Sequence, residues 1–146
     1  MKFNEAKKIL AHQIAFELTI KSLKTEVGEM AVSHFRKSFD MEGFNDTSFK
    51  RWKPLKRERS RYANRKILTQ TGTLKRSLKY NSYVGSKIWW VKVYSNLPYA
   101  DVHNEGLMSG RGAGFKMPKR QFMGDSKLLD KKIQRRIGTR INQAFK

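Results

Sequence analysis

The chain has 146 residues, room for one domain with a core of ordinary size; 38% of them are hydrophobic and 12% aromatic. Its 32 Lys and Arg against 12 Asp and Glu leave a net charge of +20, more than solubility needs, so an acidic neighbour, nucleic acid or an anionic surface is expected nearby. The lack of cysteine excludes a disulfide framework and a thiolate metal site, and no run approaches the roughly 18 apolar residues of a membrane span.

The opening MKFNEAKKIL has neither a long apolar core nor a small-residue cleavage site, so no signal peptide is expected and the chain should be made in a cytoplasm. The first 39 residues read as helix. Ile9, Gln13, Phe16, Ile20, Leu23, Val27, Met30 and His34 follow steps of four and three, the spacing of one helix face. Leu10, Ile14 and Leu18 widen the face early; Ala31 and Phe35 widen it late. Asn4 is the expected N-cap, and Gly28 weakens the middle. The span is one helix or two, with a break near Ile20 to Ser22, and its stripe is read as core, with a seam for a partner helix as the alternative.

From about residue 40 to 66 the pattern dissolves into a long basic loop, anchored at Trp52 and Leu55. Lys50, Arg51, Lys53, Lys56, Arg57, Arg59, Arg61 and Lys66 crowd it. In ILTQTGTLKRSL, Thr71 or Thr73 is expected to cap a short helical turn with Leu74 and Leu78 on one side and Ser77 adjacent. A strand begins near Ser77, Val84 to Lys87 reads as a hairpin turn with Gly85 in its first central position, and IWWVKVYS returns. Trp89, Val91 and Val93 share one face of that strand, and Trp90, Lys92 and Tyr94 share the other. Neither face is cleanly polar, so both are expected to be covered, one by helices and one by a neighbouring subunit. After PYADVHNEG comes a glycine-rich loop, residues 105–117, with Gly110, Gly112 and Gly114; a short strand is expected near Phe115 to Pro118. A last helix starts at Asp125 or Ser126. Leu129, Ile133, Ile137, Ile141 and Phe145 recur along it every four residues, amid Lys127, Lys131, Lys132, Arg135, Arg136 and Arg140. The fold class is α+β in a single domain: a long N-terminal helical region, an antiparallel hairpin or small sheet with extended loops, and a C-terminal amphipathic helix.

PYADVHNEG holds Asp101, His103 and Glu105 within five residues, the makings of a catalytic or metal site or of the polar edge of an assembly surface. The chemical readings find no support. His103 and Glu105, two apart, match no helical ligand pair, and no HExxH accompanies them. An HNH nuclease needs a second histidine and a metal frame that nothing downstream supplies. No serine sits in G-x-S-x-G, and in GRGAGFK the lysine is followed by Met117 and Pro118, unlike a phosphate loop. No catalytic, metal or cofactor residue is assigned, and no cofactor is expected. Two binding readings remain. One is a nucleic-acid binder gripping phosphates with the 50–66 loop and the last helix, with Trp52, Trp89 and Trp90 available to stack bases. The other is protein assembly through exposed aromatics and arginines, with the glycine loop reaching a neighbour.

The order of the motifs favours assembly. Trp52, Pro54 and Leu55 form W-x-P-L; Leu68, Thr71, Gly72, Leu74 and Ser77 form L-x-x-T-G-x-L-x-x-S. Tyr99, Ala100, His103 and Gly106 form Y-A-x-x-H-x-x-G, and Pro118, Arg120, Phe122 and Gly124 form P-x-R-x-F-x-G. From about Val27 to the C-terminus this series resembles the phage virion morphogenesis family of tail-completion proteins found in Mu-like phages. The resemblance implies a structural, non-enzymatic virion protein of the head–tail junction: a tail-completion, tail-terminator or neck protein. It would assemble as a homo-oligomeric ring, for instance a hexamer, against other neck, connector or tail proteins. Within that reading His103 is expected to bond backbone, Gly106 to turn the chain outward, Arg120 to pair with a carboxylate such as Glu105, and Phe122 to plug the core. Lys50, Arg51, Lys53, Lys56, Arg57, Arg59, Arg61, Trp90, Arg111 and Lys116 are the candidate subunit or genomic-DNA contacts; no membrane is involved. The departures from the family pattern are the high basic charge and the glycine-rich loop.

Overall fold

A computed structural model describes residues 3–55 and 66–145, without the side chains of residues 3, 4 and 6. Its elements are α1 (Phe3–Met41), β1 (Gly43–Phe44), β2 (Lys50–Arg51), α2 (Thr73–Ser77), β3 (Lys79–Val84), β4 (Trp89–Tyr94), α3 (Ala100–Glu105), β5 (Met108–Ser109), β6 (Phe115–Lys116) and α4 (Lys127–Ala144). The fold is α+β, two long helices carrying three small antiparallel ladders. The side chain of Asn4, the expected N-cap, lies outside the described residues.

α1 is one unbroken helix of 39 residues, about 58 Å long at 1.5 Å per residue. Of the one or two helices the sequence allows, the structure has one, with no break near Ile20 to Ser22. Thr19 donates to the Ala15 carbonyl at 2.8 Å, and Ser22 to Glu26 at 3.1 Å. The helix ends at Glu42, whose positive φ of 52° reverses the chain. Its carbonyl accepts from Trp52 N at 2.8 Å and its carboxylate from Ile67 N at 2.7 Å, which ties both ends of the following loop to the helix.

Only the second half of the apolar stripe is core. Leu23, Val27, His34 and Phe35 are buried, whereas Ile9 and Phe16 are exposed, as are Leu10, Ile14 and Leu18. The centre of the core is Phe39 with Phe122 and Trp52 around it, ring centroids 5.0 and 5.6 Å away. Trp52 also donates from its indole N–H to the Gln121 carbonyl at 2.7 Å, so it is a buried post and not a base-stacking platform. Leu55, expected as a second anchor, is half exposed. The stretch read as a loop from 40 to 66 holds the β1–β2 ladder, Gly43 opposite Arg51 and Phe44 opposite Lys50. Lys56, Arg57, Arg59 and Arg61 lie outside the described residues.

The first strand starts at Lys79, two residues later than expected, because α2 extends through Ser77. The hairpin closes one residue beyond the expected turn. Val84 pairs with Trp89, and Gly85 N donates to the Ile88 carbonyl at 2.9 Å, so Ser86 and Lys87 form the tip and Gly85 keeps an ordinary φ. Tyr80, Ser82, Val84, Trp89, Val91 and Val93 face α1; Lys79, Asn81, Tyr83, Trp90 and Lys92 face away. The glycine-rich segment is a second hairpin, with β5 on β6 and Gly110, Gly112 and Gly114 all at positive φ between or beside them. α4 starts on Ser126, whose hydroxyl accepts from Leu129 N at 3.2 Å. It runs back along α1: Ser126 lies against His34, Arg136 and Arg140 reach Glu26, and Phe145 meets His12 and Phe16.

Candidate functional site

PYADVHNEG folds as helix and not as an extended edge. Tyr99 opens α3, and Gly106 closes it in the left-handed conformation, φ 71°, with its N–H on the Val102 carbonyl at 3.0 Å. A Cβ at Gly106 would press on the Lys119 backbone, so the position favours glycine twice over, by conformation and by space. A six-residue helix places His103 and Glu105 on different faces, which removes the shared-face metal pair. Among the described residues no three of His, Asp and Glu gather as a metal cluster. No described helix is long and apolar enough to cross a membrane.

The four sequence motifs converge on one place. Leu55, then Leu68, Thr71 and Leu74, then Tyr99 and His103, then Arg120 all line a single open cavity of about 350 Å³, together with Ile67 and Met117. Leu68 enters it with φ 58°, a strained backbone for a bulky side chain. Gly72, also left-handed, precedes α2, whose Leu74 is buried. Thr73 N points to the Thr71 hydroxyl at 3.4 Å, and Ser77 bonds the Leu74 carbonyl and Ser95. Ala100 and Phe122 lie in the adjoining core; Pro54 and Gly124 are exposed, and Pro118 is half-buried.

Two expected contacts are different. Arg120 does not pair with Glu105. Arg120, 5% exposed, holds the Lys53 carbonyl through Nε (3.3 Å) and Nη2 (3.2 Å), and Lys119 takes Glu105 at 3.0 Å. Burial lowers the Arg120 pKa from its usual value. The His103 imidazole does not bond backbone: its Nδ1 is buried without a partner, and it is the His103 carbonyl that accepts from Arg120 N at 2.8 Å. Burial, then the neighbouring Arg120 charge, lowers the His103 pKa, so the ring is favoured neutral. The residue that joins the motifs is one the sequence reading passed over. Asn104 is buried, and its side-chain oxygen accepts from Phe122 N at 2.9 Å and Met123 N at 3.1 Å. Its neighbours in α3, Asp101, His103 and Glu105, are polar as well, so nothing local in the sequence marks Asn104 as the buried one.

A second buried polar group has the composition of a catalytic triad but the wrong wiring. The Ser126 hydroxyl donates to Asp46 at 3.0 Å and lies 3.1 Å from His34 Nε2. With Leu129 N also on the oxygen, His34 must donate through Nε2, so it has no lone pair there to take the serine proton. Asp46 accepts from Leu128 N as well, and those backbone and hydroxyl donors lower its pKa. The knot fastens the start of α4 to α1 and to the β1–β2 turn.

The surface carries the remaining features. Among the described residues, large apolar side chains stand exposed on the first half of α1, on the outer side of the β3–β4 hairpin (Tyr83, Trp90) and its tip (Ile88), and along the glycine hairpin (Leu107, Met108, Phe115). Tyr83 and Trp90 stack at 6.1 Å and 25°. Lys50, Arg51, Lys53, Arg111 and Lys116 are exposed, as are Lys131 and Arg135 on α4. The arrangement has buried posts, capped helices and open apolar faces, the equipment of a part that fits against other parts.

No curated protein and no solved structure matches the chain. The model of the phage virion morphogenesis family, a family of particle structure and assembly and not of enzymes, matches residues 2–142. That match takes in all four motifs and nearly all of both long helices: the chain belongs to the phage virion morphogenesis family, and its role lies in the structure or assembly of the phage particle, among the particle's other structural proteins.

Proposed function

We propose that this protein works at the head–tail junction, as a tail-completion, tail-terminator or neck protein that forms an oligomeric ring, for instance a hexamer, and joins tail to head. The observation that carries the reading is the exposure of large apolar side chains on three separate elements of one small, strongly basic subunit. Scattered exposed hydrophobics are ordinary, but grouped ones rimmed by charge mark contact surfaces. Surfaces on different elements suit head-to-tail contacts, and these close into rings when the rotation permits. The order of the four motifs supports the station. The exposed cations of β2, the glycine hairpin and α4 suit acidic neighbours in the neck or connector, or genomic DNA passing the junction.

The test is to assemble particles without the protein. Filled heads beside unattached tails in electron micrographs, with joining restored when the protein is supplied, is the expected result. Joined, infectious particles in its absence would reject the proposal. Light scattering of the isolated protein should show a discrete multimer without DNA. A monomer that binds DNA tightly and releases it as salt rises would point instead to a nucleic-acid binder acting outside the particle.

A further inference from the structure

The first half of α1 is an arm with no cover on one side. α4 lies along the side of α1 that bears His12 and Phe16, and it leaves Leu10, Ile14 and Leu18 at 57%, 50% and 60% exposure. These three recur every four residues, a straight stripe about 12 Å long. The arm is also electrically unlike the rest of the chain. Residues 3–20 hold Lys7 and Lys8 against Glu5 and Glu17, a net of zero in a protein of +20. A second copy approaching almost anywhere else meets like charge; here it does not.

The outer side of the β3–β4 hairpin supplies a matching surface. Tyr83 and Trp90, 53% and 44% exposed, stack at one end of it. From that row to the Lys79–Tyr94 row is four strand residues, about 13 Å, close to the length of the arm's stripe. Its charged groups, Lys79 and Lys92 with Lys87 at the tip, are all cations, while the arm carries an exposed Glu17 beside its stripe. The aromatic pair offers an apolar seat at one end of that face, and Lys92 and Lys79 in the rows beyond it offer cations to an acidic neighbour such as Glu17.

We propose that Leu10, Ile14 and Leu18 of one copy pack across the Tyr83–Trp90 face of the next, so that each subunit gives an arm on one side and a hairpin on the other. The contact is heterologous: arm and hairpin are different surfaces, and the chain of contacts continues until it closes. It rests on the ring reading above and names how the ring is held.

The closing experiment uses the full chain with one surface spoiled at a time, Ile14→Glu on the arm and Trp90→Glu on the hairpin, each checked for an unchanged thermal transition. Both variants should be monomeric in light scattering at concentrations where the wild type is a multimer. An equal mixture should form a one-to-one complex and stop there, because the Trp90→Glu protein still has its arm and the Ile14→Glu protein still has its hairpin. A variant that assembles like the wild type, or a mixture that stays monomeric, overturns the contact. A wild type that is itself monomeric in solution counts against free ring assembly, and the contact is then read in particles. The chain has no cysteine, so an Ile14→Cys/Trp90→Cys protein treated with a short bis-maleimide should give a ladder of multimers on a denaturing gel. Joined particles that give only monomer would discard the arm-to-hairpin contact while leaving the junction role standing.

Discussion

The side-chain oxygen of Asn104 holds two backbone amides that belong to another part of the chain, Phe122 N and Met123 N, while its Nδ2 donates to Glu105 at 2.7 Å. An alanine there leaves both amides without an acceptor, Phe122 N buried and Met123 N only partly so, at about 1–3 kcal/mol for a buried group and less for a half-buried one. Asn104→Ala should therefore lower stability by about 2–4 kcal/mol in urea unfolding. Asn104→Asp keeps the acceptor, though beside Glu105, and should lose less. Equal losses would show that packing, and not the acceptor, is what Asn104 supplies. The sequence directed attention to His103 next door, since histidine advertises chemistry. Whether an amide is buried and what it faces depend on residues 18 positions away, and no local pattern carries that information.

At the scale of elements the two long helices were legible and their coverage was not. The four-and-three stripe from Ile9 to His34 marks a helix over its whole length, but α4 reaches His12 and Phe16 along one side only and leaves Leu10, Ile14 and Leu18 in water. The β3–β4 pair was legible from its β-branched and aromatic residues, and its turn was misplaced by one residue because Gly85 is compatible with either closure. α3 escaped notice because six residues hold fewer than two turns, too few for a period to be read. Gly28 shows how context reverses a local rule. In an isolated helix alanine would be better by about 1 kcal/mol. Here Gly28 is buried where the Tyr80 ring comes down on the helix backbone, and an added Cβ would overlap the inner atoms of that ring. Overpacking of this kind costs about 1–3 kcal/mol, so the clash outweighs the propensity. Gly28→Ala should destabilise the protein, and in a Tyr80→Ala background the same change should become neutral or stabilising. A double-mutant cycle by thermal or denaturant unfolding reads the difference directly, and additive effects would remove the steric account.

For the molecule as a whole, the net charge of +20 sets a sign that separates the two modes of association. Copies of this chain repel one another through solvent, and salt shortens the reach of that repulsion to about 10 Å at 0.1 M and about 3 Å at 1 M. The proposed contacts of Leu10, Ile14 and Leu18 with Tyr83 and Trp90 would be apolar and not weakened by screening, and the flanking Glu17 and lysine charges are exposed and would contribute little. The multimer should therefore persist or grow as sodium chloride rises from roughly 50 to 500 mM, within the range where screening removes most surface repulsion. Binding to DNA must behave in the opposite way, because every phosphate neutralised by Lys or Arg releases a counter-ion. An interface with 6–10 such contacts loses about 10³–10⁵ in affinity between 50 and 200 mM salt. Light scattering across that salt series, with and without a short duplex, gives both slopes from one preparation. A multimer that falls apart as salt rises would mean that ion pairs hold the subunits together. The apolar arm would then be left without its proposed seat, and the basic surface would become the place to look for the neighbouring copy.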